Sequence, residues 1–335
     1  MNSKLLLELD HVKAYYRQVI GPRVRIIRAV DDVSLKIYER EVVGVVGESG
    51  CGKSTMANVI MMNIRPPLRF VEGSVKLYTP KGAISLERLG KDEVKNRIWG
   101  REIAIVPQSA LNALMPTLKI KRIVYDVLRS HISDIDMDKV VELTLRRFKE
   151  LGLPERAVDM YPFELSGGMR QRAVIAISTL LNPRILLVDE PTSALDVVTQ
   201  KMVLKTFKDV FEKEIIKTIV FISHDIATVR QIANRMIVMY AGKIVEDSPT
   251  EDIVSKPLHP YSEGLIGSVL TPEEEVRRRG LRYIPGQPPD LANPPPGCRF
   301  HPRCPFAMDV CRREEPPLIA IDSNRYVSCW LYMKR

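Results

Sequence analysis

The feature that most constrains how this chain folds is the segment GESGCGKST, residues 47–55, which lies between an apolar run and a helix-compatible run. Glycines in such a segment let successive backbone N–H groups turn towards one anion, and the helix that begins behind them adds a favourable dipole. The arrangement predicts a phosphate-binding loop between a strand and a helix. The predicted nucleotide contacts in the loop are Gly47, Glu48, Ser49, Gly50, Cys51, Gly52, Lys53, Ser54 and Thr55.

Two side chains of this loop have predicted chemical roles. Lys53 would reach the β- and γ-phosphates of a nucleotide, and the Ser54 hydroxyl would bind Mg²⁺. Cys51 occupies a variable position of the loop and has no predicted chemical role. The loop therefore predicts a nucleotide with β- and γ-phosphates, together with Mg²⁺, as the bound cofactors.

A second apolar run, ILLVDE, ends in two carboxylates at residues 189 and 190. Asp189 would hold Mg²⁺ directly or through water, and Glu190 would polarise the attacking water as a general base. An apolar run that ends in Asp-Glu is by itself a weak signal, because it is often only a strand that enters a turn. The motifs around it give it weight.

Near-continuous apolar runs indicate the fold class. They are residues 41–46, 103–106, 185–188 and 218–222. Strands of this kind are covered on both faces, so the runs predict an α/β protein with a mainly parallel sheet. From about residue 117 to 181 the pattern predicts an inserted helical subdomain, because apolar residues recur every three or four positions. One such face comprises Val141, Leu145, Phe148 and Leu151.

The composition changes after residue 247, and six prolines lie between Pro285 and Pro296. Proline fixes φ and removes a hydrogen-bond donor, so this segment is predicted to run as an extended strap with few hydrogen bonds. Residues 248–335 are therefore interpreted as an appended region.

The segment LSGGMRQR, residues 165–172, makes the pattern specific. With it the chain resembles the ABC ATPase family, whose signature motif is this Ser-Gly-Gly stretch at the start of a helix. The resemblance implies a head-to-tail dimer that closes over two nucleotides, since each signature serves the ATP of the opposite subunit. The implied signature residues are Ser166, Gly167, Gly168 and Gln171.

Further motifs match the family in order. Gln108 follows the run IAIVP as the Q-loop residue and is also an implied Mg²⁺ ligand, and His224 in FISHD is the implied sensor of the γ-phosphate. Tyr16 is the aromatic predicted to stack on adenine, with Tyr15 as the alternative. The implied D-loop comprises Ser193, Ala194, Leu195 and Asp196. The implied catalytic set is Lys53, Gln108, Glu190 and His224.

The resemblance also implies a domain organisation. Residues 1–247 would form an ABC ATPase domain, with a RecA-like core, an antiparallel β subdomain and a helical subdomain at about 109–181. After Gln108 the chain reads SALNALMP, where the family more often shows Asp-Pro and then Leu-Asn-Pro. This departure concerns the contacts that couple the chain to its transmembrane partner.

The C-terminal region narrows the family. The strings HPYSEGL, IPGQPPDL and GCRFHPRCPFAMDVC resemble the extension of the oligopeptide and dipeptide importer ATPases, so the resemblance covers essentially the whole chain. The segments SGGMRQR and VMYAGKIVE are more similar to the D-type subunit of those importers than to its F-type partner.

Four of the five cysteines lie in this region, at Cys298, Cys304, Cys311 and Cys329. In a cytoplasmic protein such a group suggests a metal site before it suggests disulfides. Their spacing matches neither paired zinc knuckles nor the compact ferredoxin run, so an iron–sulfur cluster and Zn²⁺ both remain open. The resemblance favours a [4Fe–4S] cluster, with zinc as the second choice and unligated cysteines as the third. The expected role of the cluster is structural, because it would hold the proline-rich strap where little hydrophobic core exists. The neighbouring arginines Arg299, Arg303, Arg312 and Arg313 would offset its negative charge.

The resemblance predicts an ATP-hydrolysing motor of an importer for dipeptides and oligopeptides, with oligosaccharide or nickel as alternative cargo. Expected partners are a second ABC ATPase subunit, an F-type paralogue in a heterodimer, two transmembrane permease subunits and, indirectly, an extracellular solute-binding protein. The chain lacks a signal-peptide layout and any run of roughly 20 apolar residues, so a peripheral position on the cytoplasmic face of the membrane is expected.

A net charge of +9 also admits a soluble ABC ATPase that acts on nucleic acid. The lysines and arginines are spread along the chain without a basic tract, and no nucleic acid is therefore expected as a partner.

Overall fold

A computed structural model of the chain describes residues 4–108, 114–193, 195–268 and 283–333. Its strands, in chain order, are β1 Leu5–Ile20, β2 Arg23–Tyr38, β3 Val42–Val46, β4 Leu68–Thr79, β5 Gly82–Ser85, β6 Ile103–Val106, β7 Ile185–Asp189, β8 Thr218–Ile222, β9 Arg235–Tyr240, β10 Lys243–Pro249, β11 Ile319–Ala320 and β12 Tyr326–Val327. Its helices are α1 Lys53–Ile60, α2 Lys91–Glu93, α3 Ile120–Arg129, α4 Met137–Glu150, α5 Gly167–Ser178, α6 Val197–Glu212, α7 Ile226–Arg230, α8 Thr250–Ser255, α9 Pro260–Gly267 and α10 Asp309–Arg313.

The chain divides into two compact units. Unit 1 comprises Met1–Arg88 and Phe221–Arg335, and unit 2 comprises Leu89–Val220. The division does not follow the domain limits predicted from the sequence, since the C-terminal region packs within the same unit as the N-terminal strands. The sequence-based limits therefore stay a prediction.

Two sheets organise unit 1. One is antiparallel, with the order β2-β1-β4-β5 and the two 16-residue strands β1 and β2 at one side. In the other sheet, β3 pairs in parallel with β9, and β10, β12 and β11 continue from β9 as antiparallel neighbours. All five residues of β3 are buried, as expected for an apolar strand that is covered on both faces.

Unit 2 contains the parallel pair β6 and β7, with β8 beside β7. All four apolar runs singled out in the sequence are strands, so the α/β prediction is confirmed. Helices α3, α4 and α5 fill most of the segment from 117 to 181, which confirms its helical character. The predicted apolar face of α4 is partly wrong.

The buried face of α4 is rotated from the predicted one. Val140 and Thr144 are fully buried beside Phe148, whereas Val141 and Leu145 are half-buried. The hydroxyl of Thr144 donates to the carbonyl of Val140 at 2.6 Å, so this polar side chain is satisfied by its own helix. Counting apolar residues alone overlooks such a position.

In the proline-rich segment, residues 283–296 contain neither helix nor strand. The segment is attached to β2 by the amide of Arg28, which donates to the carbonyl of Leu291 at 3.0 Å. Arg25 also pairs with Asp290 at 2.7 Å. Among the described residues, no helix combines the length and apolar character needed to span a bilayer.

Candidate nucleotide-binding site

The loop between β3 and α1 has the backbone that an anion-binding loop requires. Gly47, Gly50 and Gly52 have φ angles of 152°, 80° and 112°, a region that favours glycine. A Cβ at Gly47 would lie 2.2 Å from the carbonyl oxygen of Met239, and one at Gly52 would lie 2.0 Å from that of Ala29. The loop is therefore packed directly on the backbone of β9 and β2, and glycine is needed at both contacts.

Lys53 lies inside the loop. Its side chain is buried, and its ammonium donates to the carbonyl oxygens of Gly47 at 2.7 Å and Glu48 at 3.0 Å. Cys51 is also buried, and burial raises the pKa of its thiol. The carbonyl of Cys51 accepts from the amide of Gly242 at 2.7 Å, so Cys51 serves the shape of the loop through its backbone.

The two candidate adenine-stacking tyrosines have different surroundings. The hydroxyl of Tyr16 lies 3.1 Å from Oγ1 of Thr55 at the start of α1, which places this ring beside the phosphate loop. The hydroxyl of Tyr15 donates to Asp31, which is also paired with Arg299. The geometry of unit 1 therefore favours Tyr16 over Tyr15 as the aromatic near the loop.

His224 lies on the exposed turn between β8 and α7. The preceding residue is fixed to β3, because the amide of Ser223 donates to the carbonyl of Val45 at 3.1 Å. The following residue, Asp225, caps α7 by accepting from the amide of Ala227 at 2.9 Å. His224 is thus an exposed side chain on a turn that is anchored on both sides.

In unit 2, two predicted catalytic residues meet. The amide of Gln108 donates to a carboxylate oxygen of Glu190 at 3.2 Å, and Asp189 is buried at the end of β7. Glu190 has a φ of 45°, in the left-handed region. Ser193 donates its hydroxyl to the carbonyl of Glu190 at 3.0 Å and so supports the same turn.

The signature residues form the tip of α5. Ser166 caps this helix by accepting from the amide of Met169 at 3.3 Å. A Cβ added to Gly167 or Gly168 would meet nothing within 4 Å. Gln171 is buried and donates to the carbonyl of Pro191 at 2.9 Å. The signature is therefore joined to the turn after Glu190, while its glycines face open space within the described chain.

The predicted D-loop is only partly described. Asp196 caps α6 by accepting from the amides of Val198 and Thr199 at 3.0 Å, and Leu195 is half-buried. Ala194 lies outside the described residues, as do positions 109–113 of the SALNALMP segment.

Sequence reasoning missed a contact between the phosphate loop and the C-terminal region. Arg303 pairs with the carboxylate of Glu48 through two hydrogen bonds of 2.7 and 2.9 Å. Tyr261 accepts the backbone N–H of Glu48 at 2.8 Å. An acidic residue within a phosphate loop was the available signal, because such a charge needs a cation beside it.

The four C-terminal cysteines line one cavity, together with the rings of His259, Phe300 and Trp330. Burial raises the pKa of Cys298 to about 12 and that of Cys329 to about 11. In the described ranges, no group of three or more His, Cys, Asp or Glu side chains is placed to hold a metal ion. The predicted cluster on Cys298, Cys304, Cys311 and Cys329 is therefore not confirmed.

Two family models match the chain. The model described as ABC transporter matches residues 30–193, and the model described as oligopeptide/dipeptide transporter, C-terminal region, matches residues 245–311. A solved dimeric ATP-binding cassette in a post-hydrolysis state, bound to ADP and Pi, has a TM-score of 0.60 and 30% identity. The match covers 73% of this chain and 99% of that one. The chain thus has an ABC ATPase nucleotide-binding fold with mixed α/β sheets.

Full-length relatives agree with these matches. The dipeptide transport ATP-binding protein DppD of Caldanaerobacter subterraneus subsp. tengcongensis is 38% identical over 98% of this chain and 97% of its own length. The oligopeptide transport ATP-binding protein OppD of Bacillus subtilis is 38% identical over 91% of this chain and 84% of its own length. The chain belongs to the family of dipeptide and oligopeptide ABC transporter ATP-binding proteins. It is an ATPase whose activity is coupled to transport.

Proposed function

We propose that this chain is the ATP-hydrolysing motor of an importer that takes up dipeptides and oligopeptides through separate transmembrane subunits. The observation that carries the catalytic part is the contact of 3.2 Å between the Gln108 amide and the Glu190 carboxylate, beside Asp189 at the end of β7. The peptide cargo follows from the names of relatives that match nearly the whole chain. Measuring which of the three candidate cargoes the assembled transporter takes up distinguishes peptides from oligosaccharides and nickel.

In unit 1, residues 47–55 would grip the phosphates, and Lys53 would supply a positive charge to the β- and γ-phosphates. The position of Tyr16 at Thr55 supports stacking on adenine, and the exposed turn at His224 suits a sensor of the γ-phosphate. Buried Lys53 can reach a phosphate by exchanging its two carbonyl partners for phosphate oxygens.

In unit 2, Glu190 would polarise the attacking water, and the Gln108 amide would orient its carboxylate. The proposed Mg²⁺ ligands are Ser54, Gln108 and Asp189, whose hydroxyl, amide and carboxylate oxygens are the ligand type that this ion prefers. Bound Mg²⁺ would neutralise charge that develops on the phosphates.

The proposal includes a second ATPase subunit. At the start of α5, a Cβ on Gly167 or Gly168 would meet nothing within 4 Å, which supports the interpretation that the signature serves the ATP of that second subunit. We propose a heterodimer with an F-type paralogue, bound to two transmembrane permease subunits at the cytoplasmic face of the membrane. An extracellular solute-binding protein would deliver the cargo. The domain limits 1–247 and 248–335 are proposed on the same family basis.

A [4Fe–4S] cluster on the four cysteines is proposed as a structural element with no part in hydrolysis. Their shared cavity supports it, and the lack of a metal-binding arrangement among the described side chains counts against it. Anaerobically purified chain should contain about four iron atoms per molecule. If the purified chain contains zinc and no iron, the site binds Zn²⁺, the second choice. A metal-free chain with full activity would contradict both metals.

Glu190→Gln tests the proposed chemistry. The amide keeps the shape of the side chain but cannot act as a base, so turnover of the assembled transporter should fall by about 100-fold or more while ATP binding persists. Glu212→Gln, which changes an exposed glutamate on α6, is the matched control. Unchanged hydrolysis in Glu190→Gln would show that another group serves as the base.

A further inference from the structure

The phosphate loop is held from outside by an arginine of the C-terminal region. Arg303 is 5% exposed and Glu48 is 26% exposed, and the guanidinium meets the carboxylate through both of its terminal nitrogens. The Nε of Arg303 donates to the carbonyl of Pro285 at 2.7 Å, and the guanidinium lies 5.7 Å from the ring centroid of Tyr240. Hydrogen bonds to two partners and the contact with the Tyr240 ring fix the orientation of the guanidinium, so Arg303 is a preformed partner for the carboxylate.

A tyrosine of the same region holds the backbone of the same loop residue. The hydroxyl of Tyr261 accepts the amide proton of Glu48 at 2.8 Å, and its ring is fully buried. The ring centroids of Tyr240 and Phe300 lie 4.5 and 5.4 Å away. Side chain and backbone of Glu48 are therefore each fixed by one residue of the C-terminal region.

The charge of Glu48 explains why such a partner matters. A carboxylate within a loop that binds phosphates repels them, and the repulsion is strong where water is partly excluded. Pairing with Arg303 neutralises this charge and directs the carboxylate towards the C-terminal region. Without the arginine, the same carboxylate would raise the free energy of the nucleotide-bound state.

We propose that Arg303 and Tyr261 are positioning residues for nucleotide binding: Arg303 neutralises and orients the Glu48 side chain, and Tyr261 fixes the Glu48 backbone, so that the loop is preset for phosphate. This inference rests on the proposed function, in which residues 47–55 bind ATP. It gives the C-terminal region a direct role in nucleotide affinity, independent of any metal.

A cycle of three variants of the full-length chain tests the electrostatic part, with calorimetric binding of MgADP as the readout, since ADP is not hydrolysed. Arg303→Gln should weaken binding about tenfold, because Glu48 is left unpaired. Glu48→Gln alone is the reference for the double variant, because it removes the charge that Arg303 neutralises. The double variant should bind like Glu48→Gln, because no charge remains to repel phosphate.

A purely structural role of Arg303 predicts a different result. The double variant would then bind as weakly as Arg303→Gln or more weakly, and this outcome, like unchanged binding in Arg303→Gln, would overturn the inference. Arg312→Gln, at an exposed arginine of α10, is the matched control and should bind like the unsubstituted chain. An unsubstituted chain that binds no MgADP would instead overturn the proposed function.

Tyr261→Phe tests the backbone part. It removes one hydroxyl from a buried ring and should weaken MgADP binding about fivefold, and adding Glu48→Gln should not restore it, because the lost partner belongs to the backbone. Unchanged binding in Tyr261→Phe, or restoration by Glu48→Gln, would overturn the role of Tyr261.

Discussion

The phosphate loop and the signature tip are both glycine-rich segments at the start of a helix, but their surroundings differ. Gly47 and Gly52 lie against the backbone of neighbouring strands, at distances that leave no room for a Cβ. Gly167 and Gly168 have nothing within 4 Å of the corresponding position. Glycine in the first segment is required by the chain's own packing, whereas glycine in the second leaves a surface that another molecule can approach.

The helix α9, which supports the phosphate loop, and the signature helix α5 also differ in the residue that caps each of them. His259 caps α9, which carries Tyr261 to the phosphate loop, through its imidazole nitrogen at 3.0 Å from the amide of Tyr261. Ser166 caps α5 through a hydroxyl. The imidazole of His259 titrates in the acidic range, whereas the hydroxyl of Ser166 does not. A change in pH should therefore alter the stability of α9, which supports the phosphate loop, and leave the stability of α5 unchanged.

Gly52→Ala should have the largest effect on stability. The substitution places a side chain at a φ of 112° and 2.0 Å from the carbonyl of Ala29, so the backbone must move. The unfolding free energy should fall by about 3 kcal/mol or more, with loss of MgADP binding. Chemical denaturation and calorimetry measure both, and a stable Gly52→Ala that binds nucleotide would remove the contrast between the two segments.

Acidification should have an intermediate effect through His259. Burial lowers the pKa of this imidazole to about 3, whereas an unfolded histidine titrates near 6.5. Between these values the unfolded state binds a proton that the folded state does not, so the unfolding free energy decreases as pH falls. At pH 5 this loss amounts to about 2 kcal/mol.

Denaturation of His259→Asn between pH 7.5 and pH 5 isolates this contribution. Asparagine can cap a helix but does not titrate, so the variant should lose about 2 kcal/mol less over that interval than the unsubstituted chain. Equal pH dependence in the two proteins would show that His259 is not the group responsible.

Gly168→Ala should have the smallest effect on stability. Its Cβ meets no neighbour, and alanine restricts the unfolded chain, so the unfolding free energy should stay the same or rise by up to about 1 kcal/mol. MgADP binding by the single chain should be unchanged, while ATP hydrolysis by the assembled transporter should be lost. Full hydrolysis in Gly168→Ala would contradict the proposed contact with a second subunit's ATP.

The parts of the fold that the sequence predicted are those governed by neighbouring residues. Four of the five residues from Val42 to Val46 are valine, which indicates a buried strand, and the glycines after it indicate a loop because of their conformational freedom. The buried face of α4 was predicted only in part, because Thr144 is satisfied by its own helix and carries no apolar signal.

The parts that escaped prediction depend on distant pairs. Arg303 and Glu48 lie 255 positions apart, and no periodicity connects them. The sequence suggested that Arg303 would neutralise a cysteine-bound cluster, whereas the structure pairs it with the phosphate loop. The sequence shows that the carboxylate of Glu48 needs a positively charged partner, and only the folded chain shows that this partner is Arg303.

The left-handed backbone at Glu190 has a consequence for engineering. A glutamate at a φ of 45° is conformationally unfavourable, whereas glycine or asparagine adopts this region readily. Directed evolution that rewards heat resistance alone would therefore favour either replacement at this position, and each would remove the carboxylate. Libraries of this ATPase should be screened for transport as well as for thermal tolerance, because at Glu190 the two selection pressures oppose each other.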